Sequence, residues 1–161
     1  MPKVKPVPKG YHTVTPGLSV QGADAFIRFC KKAFGATEML RLKGPGDSLM
    51  HAELMIGDSH VMVGDEHPHF GNKSAKSLSG TPLTLHIYVP DCDAVIARAI
   101  KAGAVAKMPA ADMFWGDRYG TIEDPFGNVW GIATHIEDVD AKEMKKRGAK
   151  MLKDMAAKAP A

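Results

Sequence analysis

The chain carries a faint internal duplication, and no other feature narrows its possible folds as much. Asp24-Ala25-Phe26-Ile27 returns as Asp93-Ala94-Val95-Ile96, an offset of 69 residues (93 − 24). Each tetrapeptide opens an apolar-periodic stretch, follows a strand-like run ending in valine (Val20, Val89), and leads to Gly-Ala (Gly35-Ala36, Gly103-Ala104). The turn at Gly57-Asp58 is echoed at Gly127-Asn128, an offset of 70 (127 − 57). Two copies of a strand–helix–strands unit can pair around one concave face, which is a natural place for a ligand.

At 161 residues the chain has room for two small modules sharing a core, and a chain of this size buries about 70% of its unfolded surface. Its formal charge of +3 is mild, and no basic stripe alternates with aromatics, so nucleic acid is not expected as a partner. No apolar run reaches the roughly 20 residues of a membrane span. The opening Met1-Pro2-Lys3-Val4-Lys5-Pro6 has charge without a following apolar stretch, unlike a secretory signal. Cys30 and Cys92 lack metal-ligand spacing and read as reduced thiols, so the expected compartment is the cytoplasm.

The pattern divides the chain into an N-terminal arm (1–12), a first βαβββ module (13–66), a linker loop (67–82), a second βαβββ module (83–136) and a helical tail (137–161). In the first module Val14 to Val20 alternates around Pro16. A helix from about Ala23 to Phe34 follows, with Phe26, Ile27, Cys30 and Phe34 on one stripe. Gly35 is placed to end it in a left-handed cap. Strands read from Leu49 to Ile56 and His60 to Val63. The linker has no period and is long enough to suggest a mobile or binding loop. In the second module Leu83 to Val89 alternates, a helix runs from about Asp91 to Ala102, and Asp112 to Gly120 reads as a loop entering a strand. Asp124-Pro125-Phe126-Gly127 is a β-turn, and Val129 to His135 is the last strand. Beyond Asp140, a capping box with Glu143 opens a loosely packed, lysine-rich helix.

Alternation also sorts side chains by face. Ala52, Leu54, Ile56, Val61, Val63, Leu85, Ile87, Trp130 and Ile132 belong beneath helices. That sends His51, Glu53, His60, His86, Tyr88 and His135 to the other face, where imidazoles and a carboxylate could meet a polar ligand or a metal. The plainer alternative is a wetted sheet face with no function. His67 and His69 read as surface residues, and alternation does not place His12. Trp115 and Arg118, in an aromatic loop with glycines, could hold an anionic or aromatic ligand; alternatively Phe114 and Trp115 are core and Arg118 pairs in the neighbourhood of Asp117.

With these elements placed, the chain resembles the vicinal oxygen chelate superfamily of glyoxalases, bleomycin-resistance proteins and dioxygenases, and within it the PhnB-like branch. The matching segments are Phe26 to Ala36, His51 to Asp58, Phe114 to Gly120, and Asp124 to Trp130. The resemblance implies an α+β fold in which two paired βαβββ modules form a cupped eight-stranded mixed sheet with helices on the outer face. It also implies a homodimer. Metal-dependent members carry ligands in the first and last strand of each module. Those positions fall here on Thr15, Thr84, Val61 or Met62, and Gly131, so the standard metal site is not expected. One reading is therefore a protein that binds a small molecule in the cup without a cofactor. The alternative is a lyase, isomerase or dioxygenase of the glyoxalase type with a displaced divalent metal (zinc, nickel, manganese or iron). That metal would sit on Glu53, His86 and His135, or on the two histidines with Glu53 as general base. A purely structural, partner-binding module rests only on the lysine-rich tail. No glycine-rich strand–loop–helix fingerprint for a nucleotide-like cofactor is present.

Overall fold

The computed structural model describes residues 4–158; the first three residues of the expected arm and the last three of the tail lie outside that range. Each module runs strand, helix, three strands. The first comprises β1 (Gly17–Val20), α1 (Ala23–Phe34), β2 (Thr37–Lys43), β3 (Leu49–Ile56) and β4 (Ser59–Asp65). The second comprises β5 (Thr84–Tyr88), α2 (Cys92–Lys101), β6 (Val105–Asp112), β7 (Asp117–Glu123) and β8 (Val129–His135), and α3 (Ala141–Lys158) follows. The eight strands fall into two four-stranded mixed sheets, ordered β1-β4-β3-β2 and β5-β8-β7-β6. In each, the first strand lies parallel to the last.

The duplication holds at the level of single residue pairs. Gly17 stands opposite Met62 on β1 and β4, and His86 opposite Gly131 on β5 and β8. Both members are displaced by 69 residues (86 − 17 and 131 − 62).

Helix α1 forms where its apolar stripe demands burial: Phe26, Ile27, Cys30 and Ala33 are fully buried. Gly35 ends it at φ 69°, donating its N–H to the Cys30 carbonyl, a left-handed conformation that glycine adopts without penalty. No side chain caps its start from within. Instead Oδ1 of Asp65, at the end of β4, accepts from the N–H groups of Gly22 and Ala23 at 3.1 and 2.8 Å. Helix α2 is capped by Asp91, whose carboxylate accepts from the Ala94 N–H. At the head of α3, Asp140 accepts from the N–H groups of Lys142 and Glu143. The reciprocal half of the expected capping box is missing, because Glu143 turns to Lys146 and Arg147.

One apolar cluster spans both modules. Phe34 of α1 lies 4.5 Å from Trp130 of β8, and Phe26 meets Phe126 edge-on at 5.4 Å. The turn motif before β8 is explained by Asp124, which is buried and accepts from the N–H groups of Phe126 and Asn128, the Asn128 amide and the Trp130 indole.

The linker is more ordered than its composition suggests. Glu66 gathers donors from the Ser74 N–H, the Ser77 hydroxyl and the Gln21 amide, which pull its carboxyl down to about 2. Strands β2 and β6 were not separately visible by alternation, and β1 begins at Gly17, after the proline, rather than at Val14.

Candidate functional site

Among the described residues, the edge of β5 that faces away from β8 has no strand partner, and a cleft of about 740 Å³ runs around it between the modules. His60 of the first module and His86 and Tyr88 of the second line it, together with Leu85 and Ile87 from the other face of β5, and His12 joins them from the arm. The apolar wall includes Phe34, Val95 and Trp130. Arg98, from the last turn of α2, also lines the cleft. It donates through Nε to the Ala33 carbonyl at 3.3 Å and, among the described residues, makes no ion pair with a carboxylate. Asp58 is the acidic residue on the lining.

The floor beside His86 and Tyr88 is a packed polar–aromatic layer. His86 stacks on Tyr119 at 5.3 Å between ring centroids with an 8° interplanar angle. Beneath lies Asp117, 3% exposed. Its Oδ2 accepts from the Tyr88 hydroxyl and the Trp115 indole, each at 3.0 Å, and its Oδ1 from His135 Nδ1 at 2.8 Å. Burial pushes the Asp117 carboxyl up, but bonds from His135, Tyr88 and Trp115 outweigh it and leave the group below its usual range. The Tyr88 phenol is raised in turn, chiefly by its bond to Asp117. His135 is also raised, by Asp138 first and then Asp117. Three donors on one carboxylate hold the layer together, and His86 and Tyr88 are its members that line the cleft.

The concave residues read from the sequence are thus divided rather than gathered. His60, His86 and Tyr88 meet the cleft; Trp115 and His135 belong to the Asp117 layer. His51 and Glu53 lie elsewhere on the first sheet, bonded to each other (Nε2 to Oε1, 3.3 Å) and covered by Tyr11. Arg118 points to the α2 side of the sheet, where it pairs with Asp93 and Asp112 at 2.9 Å each. The reason is parity. Asp112 to Gly120 is not one loop; β7 begins at Asp117, so Asp117, Tyr119 and Thr121 share the concave face and Arg118 the other. Treating β7's first residues as loop is what hid Asp117 and Tyr119. Tyr11 and Arg98 carried no pattern that alternation could read.

The donor set that the superfamily uses for a metal does not fit here. At Gly131, opposite His86, a Cβ would come within 2.7 Å of the Tyr119 hydroxyl oxygen and 3.2 Å of His86 Nδ1, so rings fill the place a ligating side chain would need. The alternative set of Glu53, His86 and His135 is not brought together. Among the described residues no group of three or more His, Cys, Asp or Glu is arranged to hold a metal ion. Nor is any helix among them long and apolar enough to cross a membrane.

Comparison with known proteins supplies the lineage. An uncharacterized protein of Mycobacterium tuberculosis, Rv0887c, is 42% identical over 135 residues, covering 82% of this chain and 79% of the relative. The Arabidopsis thaliana protein At5g48480 is 32% identical over 124 residues, covering 72% of this chain and 74% of its own. Its crystal structure superposes with a TM-score of 0.63 at 29% identity, across 76% of this chain and 98% of that one. TioX from Micromonospora sp. ML1 shares the fold at a TM-score of 0.60 and 24% identity, over 80% of this chain and all of its own (100%). The family model for the Glyoxalase/Bleomycin resistance protein/Dioxygenase superfamily matches residues 11–132. Duplicated βαβββ modules, their shared registers and this match together place the chain in the glyoxalase/bleomycin resistance protein/dioxygenase superfamily.

Proposed function

We propose that this protein binds a small planar molecule bearing an acidic group in the cleft around β5, without a metal at the superfamily's usual positions. The observation that carries the reading is that Arg98, with no carboxylate partner among the described residues, and the exposed residues His86 and Tyr88 line one cleft, which runs around the edge of β5. A guanidinium with free N–H groups recognises carboxylate or phosphate, and exposed rings on a rigid backing stack on a planar ligand with little loss of side-chain freedom. Arg98 takes the role that the sequence suggested for Arg118.

A thermal-shift and calorimetric screen of aromatic acids against their neutral amides tests this. A true ligand at about 100 times its Kd stabilises by about 2.7 kcal/mol. The acids are expected to bind, the amides much more weakly, and Arg98→Ala and His86→Ala to abolish the difference. Equal binding of acids and amides, or indifference to Arg98→Ala, would sink the reading. Elemental analysis of protein purified without chelator addresses the enzymatic alternative. Stoichiometric zinc, nickel, manganese or iron, lost in His86→Ala, would favour the metal-dependent lyase, isomerase or dioxygenase instead. We further place the chain in the PhnB-like branch, as a cytoplasmic homodimer. The unpaired β5 edge supports the dimer and the two free, buried cysteines support the compartment, and sedimentation at micromolar concentration checks the dimer.

A further inference from the structure

We propose that the hollow over Glu53 on β3 is a second binding site, for a small phenol, and that the Tyr11 side chain occupies it as a built-in competitor. The site shares His60 with the lining of the cleft around β5, but its anionic acceptor, Glu53, is not on that lining.

The geometry is that of a bound phenol. The Tyr11 ring lies parallel to the His60 imidazole, with centroids 3.9 Å apart and an interplanar angle of 13°. Its hydroxyl donates to Oε2 of Glu53, whose Oε1 is bonded to His51. A flat platform and an anionic acceptor are thus presented together at the spacing of one phenol ring. The wall between them is soft: Met62 pairs with Glu53 and Met55 with His60 on adjoining strands, and thioethers adapt readily to aromatic rings.

His60 supplies an independent sign that this is a built site. It is 9% exposed, and its Nδ1 has no hydrogen-bond partner among the described residues. Unpaired buried polar atoms are uncommon and call for an explanation. Here the ring serves through its face, held by packing in the plane that stacking needs.

The occupant is lightly attached. Residues 4–10 are exposed. Among the described residues, the Tyr11–Glu53 bond is the one hydrogen bond from residues 4–12 to the strands. Gly10, at φ 89°, lets the arm turn close over His60, where an added Cβ would lie 3.5 Å from Nε2. A ring so tethered competes with any free phenol and lowers its apparent affinity by the fraction of sites left open. The carboxylate of Glu53 excludes an acidic ligand at the same place, and an aliphatic alcohol would leave the platform unused. A phenol satisfies both surfaces.

The test uses the full chain and p-cresol, the tyrosine side chain cut free, with toluene as its counterpart lacking the hydroxyl. Calorimetry is expected to show p-cresol binding Tyr11→Ala at least about tenfold more tightly than the unaltered protein, a tenfold change being 1.4 kcal/mol. Toluene should bind weakly, and adding Glu53→Gln should abolish the gain. Tyr11→Phe, which keeps the ring and drops the hydroxyl, should give an intermediate affinity and serves if the alanine variant does not fold. Equal affinity of altered and unaltered protein, equal binding of toluene, or dependence on His86 rather than Glu53 would each overturn the proposal. Aromatic acids measured on the same variants separate the two sites. Failure of Tyr11→Ala to bind p-cresol while it still binds the acids defeats this site alone, and p-cresol binding without acid binding defeats the cleft.

Discussion

Single residues show how the sheet faces are decided. His135 sits between two carboxylates, with Nδ1 on Asp117 at 2.8 Å and Nε2 on Asp138 at 2.9 Å. Both favour the imidazolium, so its folded-state pKa lies above the ordinary 6.5. A group raised in this way contributes its stability fully below the unfolded value and loses it as pH climbs through the folded one. The melting temperature of the unaltered protein should therefore fall toward that of His135→Gln as pH rises from about 6.5 upward. A gap that widens instead, in a melting series across that range, would contradict the assignment. Salt should narrow the gap too, since half of the His135 side chain is exposed. Gly131 makes the opposite kind of point, since what matters there is a missing atom. In Gly131→Ala the new Cβ would meet the Tyr119 hydroxyl oxygen at 2.7 Å and ring carbon at 2.8 Å. The Tyr119–His86 stack must then shift, at a cost of about 1–3 kcal/mol. Urea unfolding measures it, and the near-ultraviolet dichroism of the aromatic layer should change in the same variant.

At the scale of elements, legibility tracked burial. Strands β3 and β8 were readable to the residue because one face is sealed: Ala52, Leu54 and Ile56 are buried along β3, and Trp130 and Ile132 along β8. Helix α1 was readable by its stripe and by Gly35. Strands β2 and β6 were not, because both are outer strands of their sheets and almost wholly exposed. Register shifts at Glu38/Leu40 and Leu42/Lys43, and again at Ala106/Met108 and Met108/Ala111, break the alternation that would betray them. The same limit governed the site. Face assignment found His60, His86 and Tyr88, but the partners that define their surroundings come from other elements: Tyr11 from the arm, Arg98 from a helix end, Asp117 from a strand start. Asp65 is the clearest joint between elements. Besides the two N–H groups at the head of α1, its other oxygen accepts from the Leu49 N–H at 2.6 Å, where β3 begins. Asp65→Ala should lower stability by about 1–2 kcal/mol, as loss of a helix cap does. Amide exchange should quicken first at Gly22, Ala23 and Leu49, and protection unchanged there would argue against the joint.

For the whole molecule, the question is whether two modules with separate sheets unfold as two units or one. Their hydrogen bonding argues for two, since the sheets share no strand pair. Their packing argues for one. Phe34 reaches Trp130, Phe26 reaches Phe126, the Arg98 side chain holds the Ala33 carbonyl, and a single apolar cluster runs through both modules. Apolar burial outweighs the separation of the sheets, because exposing one face of a shared core strips the other of its cover. Both tryptophans, Trp115 and Trp130, belong to the second module, so their main fluorescence transition follows the unfolding of that half, while Trp130 also senses loss of its Phe34 neighbour. Leu54 is fully buried in β3 of the first half, and Leu54→Ala should cost about 2–5 kcal/mol. If the halves share one core, the tryptophan transition in urea shifts to lower concentration by that full amount with its slope unchanged. If they are independent, the tryptophan signal keeps its midpoint while far-ultraviolet dichroism splits into two steps.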